Sequence, residues 1–206
     1  MATIIRSPAS KSASKSAPPR RAAPRRFVSE DGLLSVKDWL ALGDVKPRYE
    51  LIDGKLIQKM TTTRKHTKSA GKFLVQCDNW GTSLGWQFFP EGTGIYISER
   101  VGYVPDVVGF KPGVELDPDS AMDGPPFLVV EVLSTGTRNK DRNEKKRNYA
   151  KIDISIYILI DPDAQTFEVY RLENQKYGAP ETLKENDVWQ PAELPGLRLE
   201  LAQLWM

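Results

Sequence analysis

Residues 127–133 read Phe-Leu-Val-Val-Glu-Val-Leu, six apolar residues interrupted only by Glu131. A run this apolar, without alternation, predicts a central strand covered on both faces. Glu131 sits in its middle. A lone carboxylate is costly to bury, so Glu131 must be paired, protonated, metal-bound or at the mouth of the sheet. The chain must therefore place a strand deep in a core and bring a partner to that carboxylate.

The flanking pattern supplies the rest of an α/β body. Ser35–Leu42 predicts a short helix, with Ser35 as cap, Asp38 at the capping-box position and Gly43 as terminator. Tyr49–Ile52 and Lys55–Lys59 predict paired strands around Asp53-Gly54, a two-residue hairpin signal. Thr62 or Thr63 begins a helix running to about Leu84, with Ala70, Phe73, Leu74, Cys77 and Trp80 at helical spacing. Gly85–Pro90, Gly94–Glu99 and Val104–Phe110 read as strands, and Lys111–Pro126 as a Pro/Gly/Asp-rich loop. After the central strand come a polar loop, Ser134–Lys140, and a helix, Asp141–Lys151. Strands Ser155–Asp161 and Thr166–Leu172 then join through Asp161-Pro162-Asp163-Ala164. A closing apolar segment follows Leu194-Pro195-Gly196-Leu197. The expected body is a mixed sheet with at least two helices and no internal repeat.

The first 26 residues differ in kind. They carry seven basic and no acidic residues, so a whole-chain charge of +2 leaves −5 on residues 27–206. Rich in Ser, Ala and Pro, this tail cannot bury enough surface to offset its ordering entropy, and it is expected to be disordered. Three readings stand: a solvated extension, an electrostatic arm for nucleic acid, or an organellar transit peptide. The expected organisation is a tail, 1–26, and one domain, 27–206.

Several classes of chemistry are excluded. One cysteine, Cys77, and one histidine, His66, rule out an intramolecular disulfide, a Cys-based zinc site and a multi-histidine metal site. No run approaches the about 18–20 apolar residues of a membrane span. No Gly-x-Ser-x-Gly elbow or Walker loop is present. Hydrolytic chemistry would have to come from carboxylates, lysines and tyrosines.

Asp106 is a second anomaly, lying after Pro105 inside the apolar stretch Val104–Val108. If the two strands are neighbours, Asp106 and Glu131 make a hard oxygen site suited to Mg²⁺ or Mn²⁺. The plainer reading is two separate carboxylates that cap loops or pair with Lys or Arg. Asp141, Lys145 and Tyr149 are spaced four apart and share a helical face. A lysine on that face could serve a metal-bound carboxylate pair, or simply form an exposed i,i+4 pair.

These stretches together resemble a known family. Pro105-Asp106 followed by Glu131-Val132-Leu133 is similar to the metal-binding half of the PD-(D/E)XK nuclease core. Tyr49–Gly54, His66 entering a long helix, Val104–Val107, Leu128–Ser134, Asp141…Lys145…Tyr149 and Tyr157–Pro162 resemble, in that order, the restriction endonuclease family of Uma type, found in cyanobacteria and other bacteria. The resemblance covers roughly residues 30–205 and implies a restriction-endonuclease-like fold, a mixed β-sheet flanked by helices. It implies Asp106 and Glu131 as metal ligands, the main-chain carbonyl of Val132 as a third, and Glu50 as a carboxylate that is either a ligand or a holder of metal-bound water. The usual motif has a lysine two residues after the glutamate, where this chain has Leu133; Lys145 matches a lysine supplied by the following helix.

The implied activity is Mg²⁺- or Mn²⁺-dependent hydrolysis of nucleic-acid phosphodiesters, DNA foremost, by a bacterial cytoplasmic endonuclease. Lys145 would orient water or stabilise charge. His66 either binds phosphate, beside Arg64, or is a solvated helix terminus. Arg138, Lys140 and Arg142 could track a nucleic-acid backbone, or be wet surface. No membrane partner is expected, and a homodimer is a natural arrangement for cutting two strands. The alternatives are a nucleic-acid-binding or regulatory protein that keeps the fold without cutting, and an interaction protein whose tail docks an acidic partner.

Overall fold

The computed structural model describes residues 31–43, 45–120 and 122–206; the tail expected over 1–26 lies outside the described residues. Helix α1 (Val36–Leu40) starts at Ser35, whose Oγ accepts from the Asp38 amide while the Asp38 carboxylate accepts from the Ser35 amide at 2.8 Å. It ends at Leu40, two residues short of the expected Leu42. Strands β1 (Tyr49–Ile52) and β2 (Lys55–Gln58) form the expected hairpin, with Ile52 opposite Lys55. Asp53 and Gly54 both have positive φ, 48° and 75°, as a two-residue turn of this hand requires.

Helix α2 (Arg64–Gly81) is capped by Thr63, and a 3₁₀ turn (Thr82–Leu84) extends it to the expected end. Its buried stripe runs through His66, Ser69, Phe73 and Cys77. Strands β3 (Gln87–Pro90) and β4 (Gly94–Ser98) follow.

The strand expected over Val104–Phe110 is shortened to Val107–Phe110, and a further strand precedes it. β5 (Val101–Tyr103) pairs with β1 and β4, and β6 (Val107–Phe110) pairs with β3 and β8 (Leu128–Val132). Pro105 lacks an amide proton and interrupts the ladder. At Val104-Pro105-Asp106 the chain passes from one sheet to another. Within the expected 111–126 loop, β7 (Met122–Asp123) pairs in parallel with β4.

The helix expected from Asp141 begins earlier, at Arg138, and the polar loop before it is correspondingly shorter. It comprises α3 (Arg138–Lys140), a π turn (Asp141–Lys145) and α4 (Lys146–Lys151). The amides of Arg138 and Asp141 donate to the carbonyls of Ser134 and Thr137. Backbone carbonyls thus begin the helix, with no side-chain cap.

β9 (Ile156–Asp161) lies parallel to β8, and β10 (Thr166–Glu173) returns antiparallel. The short strands β11 (Lys176–Tyr177), β12 (Glu181–Lys184), β13 (Val188–Trp189) and β14 (Leu199–Glu200) complete the chain, with a 3₁₀ turn at Leu201–Gln203. Among the described residues one sheet has the order β2-β1-β5-β4-β7. A second has β11-β10-β9-β8-β6-β3 with β12 beside β10, and β13 pairs with β14. The expected mixed sheet is thus divided between two main sheets.

Alternation along β8 divides the core. Leu128, Val130 and Val132 face α2 and the C-terminal segment, packing with Phe73, Ile158 and Leu201. Val129 and Leu133 face the helix that follows, packing with Tyr103, Tyr149 and Tyr157. Glu131 shares parity with Val129 and Leu133, so it projects toward that helix. A third cluster, Val36, Trp39, Leu51 and Val104, holds α1 against the first sheet. Gly102 is required there: a Cβ would lie 2.3 Å from the Trp39 ring.

Candidate active site

The site forms where the two sheets meet. Glu50 comes from β1, Asp106 from the crossover, Glu131 from β8, and Asp141 and Lys145 from the π turn. All five side chains are buried. Lys145 Nζ lies 2.7 Å from Glu131 Oε1, 3.0 Å from Glu50 Oε1 and 3.6 Å from Asp141 Oδ1. Tyr149 donates its hydroxyl to the same Glu131 oxygen at 2.7 Å. The helical face expected of Asp141, Lys145 and Tyr149 is therefore present, and it is the inward face.

Lys140 reaches Glu50 Oε2 at 2.6 Å. In an α-helix, Lys140 and Lys145 would point about 140° apart, at about 100° per residue. Here the Lys146 amide donates to the Asp141 carbonyl, five residues back. That π turn brings residues five apart onto one face. Both lysines thereby meet Glu50, each 5.4 Å from the centre of the Tyr103 ring.

Asp106 is held from three directions. Its Oδ2 accepts from the Val132 amide at 2.8 Å and lies 3.1 Å from His66 Nε2; its Oδ1 lies 3.3 Å from Lys59 Nζ. His66 is buried against Asp106, so the solvated-terminus reading is corrected. It enters the site from the first turn of α2, where Thr63 fixes its backbone. Arg64, on the same turn, is exposed.

The other expected nucleic-acid contacts are paired within the fold. Arg138 bridges to Asp161, and Arg142 meets Glu168 at 2.7 Å. Leu133, at the usual lysine position, is buried in the core beside Tyr149. The ammonium reaching Glu131 comes from the helix above it.

Lys59 escaped sequence reading. Its residue type does not distinguish one lysine at the end of a hairpin strand, but its parity does. Glu50 faces Ile57, and Lys59 lies two residues on, its amide bonded to the Arg48 carbonyl. Lys59 therefore shares the face of Glu50. Its Nζ bonds the Val104 carbonyl at 2.7 Å and approaches Glu91 Oε1 at 3.2 Å.

The electrostatics follow from this packing. Burial opposes ionisation of Glu50, but Lys145 and Lys140 outweigh it and hold the carboxyl down at about 2. Burial opposes ionisation of Asp106 too, and His66 and Lys59 hold it below the usual carboxylate range. Glu131 is pushed up to about 8 by burial, with Asp141 and Asp106 adding to the rise and Lys145 opposing it. Burial raises Asp141 as well, against the pull of Lys145. Burial would lower Lys145, yet Glu131, Glu50 and Asp141 keep its ammonium well above the ordinary lysine value.

Four buried carboxyl groups therefore face three ammonium groups, and Glu131 and Asp141 are the two whose ionisation is held back. Asp141 Oδ1 is buried without a hydrogen bond. Both donors to Glu131 meet Oε1. Among the described residues no three His, Cys, Asp or Glu side chains form a ready-made metal cage. The donor chemistry, carboxyl oxygens that outnumber the ammonium groups beside them, nevertheless fits a hard divalent cation. No helix among the described residues is long and apolar enough to cross a membrane.

Comparisons place this geometry in context. The fold is similar to that of a crystal structure of a "putative nuclease belonging to DUF820" from Anabaena variabilis, with TM-score 0.70 and 21% identity, covering 83% of this chain and 97% of that one. That likeness shows a shared fold. Comparison with curated proteins returns no match. Residues 37–202 match the family model Uma2, described as "Putative restriction endonuclease", and the chain belongs to that family.

Proposed function

We propose that the chain is a metal-dependent endonuclease that hydrolyses nucleic-acid phosphodiesters, DNA foremost. The observation that carries this reading is the buried meeting of Glu131, Glu50 and Lys145 at the junction of two sheets, with Asp106 bonded to the Val132 amide next to Glu131, in a chain of the Uma2 family. Asp106 and Glu131 would hold Mg²⁺ or Mn²⁺, with the main-chain carbonyl of Val132 and with Glu50 as the further oxygens. Bound there, such an ion polarises a phosphate and lowers the pKa of water.

The chain's own residues do the rest. His66 and the Val132 amide fix the Asp106 carboxylate, and Tyr149 and Lys145 fix that of Glu131. Lys145 also offsets negative charge at the point where an anionic phosphate must approach. Arg64 at the exposed start of α2, with Arg138, Lys140 and Arg142 along the other helix, would steer the nucleic-acid backbone. A guanidinium has five donors, so Arg138 and Arg142 can keep their carboxylates and still meet phosphate.

A non-cleaving nucleic-acid-binding protein is the second reading, favoured by Leu133 at the usual lysine position. Calorimetric titration with Mn²⁺, on the wild type and Glu131→Gln, separates the two when paired with a nuclease assay. Binding by the wild type, lost in the variant and accompanied by cleavage, is the expected result. A wild type that binds nucleic acid but neither Mn²⁺ nor Mg²⁺ would favour the second reading.

A further inference from the structure

Lysines at this site differ in what they can still touch. Lys145 has 4% of its side chain exposed, and its three donors face three buried carboxylates. To reach a phosphate it would have to abandon one of them, leaving a buried charge uncompensated. Its geometry suits positioning and neutralisation. Lys140, on Glu50 Oε2, is the second counter-ion of a buried carboxylate.

Lys59 is arranged differently. Its side chain is 15% exposed, so it sits at the edge of the site. An ammonium has three donors. Two meet fixed buried acceptors, the Val104 carbonyl at 2.7 Å and Asp106 Oδ1 at 3.3 Å. The third meets Glu91, on the turn after β3, whose side chain is 37% exposed. A solvated carboxylate can turn into water at little cost. A phosphate oxygen can then take the place of Glu91 Oε1 without uncovering any buried acceptor. Asp106 would keep its bonds to His66 and the Val132 amide throughout.

We propose that Lys59 contacts a phosphate oxygen of bound nucleic acid, and that Glu91 is the counter-ion the phosphate displaces. The inference rests on the endonuclease reading and divides the work of two lysines: Lys59 touches substrate, and Lys145 is a positioning residue.

The test is binding of a fluorescein-labelled DNA duplex, followed by anisotropy over a range of salt concentrations with Ca²⁺ as a non-cleaving ion. Wild type, Lys59→Met, Lys59→Arg and Glu91→Gln are compared. Lys59→Met is expected to weaken binding about tenfold, about 1.4 kcal/mol, and to reduce the slope of log K against log salt by about 0.9, the loss of one phosphate contact. Lys59→Arg should restore both, and Glu91→Gln should tighten binding at an unchanged melting temperature. A purely structural Lys59 would alter stability without changing the salt slope.

If the wild type binds and cleaves DNA while Lys59→Met keeps both affinity and slope, the Lys59 assignment is overturned and the endonuclease reading survives. Should Lys59→Met fail to fold, unchanged affinity and slope in Glu91→Gln overturn the assignment alone. A wild type that neither binds nor cleaves overturns both.

Discussion

Replacing Lys145 by Met keeps most of the apolar stem and deletes one charge. In the native structure that charge serves Glu131, Glu50 and Asp141 at 2.7, 3.0 and 3.6 Å. Without it Glu50 retains Lys140, Glu131 retains only the Tyr149 hydroxyl, and the Asp141 oxygen facing Lys145 has no hydrogen bond to fall back on. Removing one partner of a buried ion pair typically costs about 3–5 kcal/mol, a large share of a domain's about 5–15 kcal/mol. For a domain of this size that corresponds to a fall in Tm of about 6–20 °C. Urea unfolding followed by tryptophan fluorescence, with a thermal melt, measures it. The double variant Lys145→Met/Glu131→Gln also removes the carboxyl left without an ammonium, and should recover about 1–3 kcal/mol of coupling. A single-variant loss under about 1 kcal/mol, or simple additivity in the double, would refute the view that Lys145 is the shared counter-ion of the cluster.

Tyr149→Phe deletes only the hydroxyl bonded to Glu131 and leaves the ring against Tyr103 and Tyr157; it should cost about 1.5–3 kcal/mol in urea unfolding, and a loss below about 0.5 would contradict the assigned bond. Gly102→Ala drives a methyl into the Trp39 ring, so α1 must shift, and a melt should register about 1–3 kcal/mol of destabilisation. Asp161 is opposed by burial but held below its ordinary value by Arg138 and the turn amides of Ala164 and Asp163. Because its folded pKa is depressed, its contribution to stability is present above an unfolded value of about 3.9 and is lost as pH falls through the folded value. Tm measured from pH 6 to pH 3 should therefore fall less steeply in Arg138→Met than in the wild type, and parallel profiles would remove Arg138 as the cause.

What was legible in the sequence was whatever local chemistry writes. Asp53-Gly54 announced a hairpin, and the i,i+3/i+4 stripe of α2 announced its buried face. Glu131 stood out because its neighbours are all apolar. Asp106 stands out for the same reason, although its strand is shorter than the apolar run around it: Pro105 ends the pairing on one side and lets it resume in another sheet. The site's other members depend on which distant elements meet. Lys59 and Asp106 are far apart in sequence and come together only when the β1–β2 hairpin packs beside the crossover. His66 looked like a helix terminus because sequence does not say which side of α2 faces Asp106. The early start of the third helix was hidden because its first amides are satisfied by backbone carbonyls of Ser134 and Thr137, which no residue type signals.

The π turn at Asp141–Lys145 has a consequence for how length is read along this helix. Residues before it and after it keep two different angular frames, offset by one residue. Removing a single residue within the turn, such as Asn143, would close it into α-helix and leave Lys140 and Lys145 four apart, about 40° from each other at about 100° per residue. Lys140 would then keep facing Glu50 while Lys145 and Tyr149 stayed on Glu131. The turn thus behaves as one inserted residue that the helix absorbs without losing phase, so spacing rules counted across it misjudge which side chains share a face.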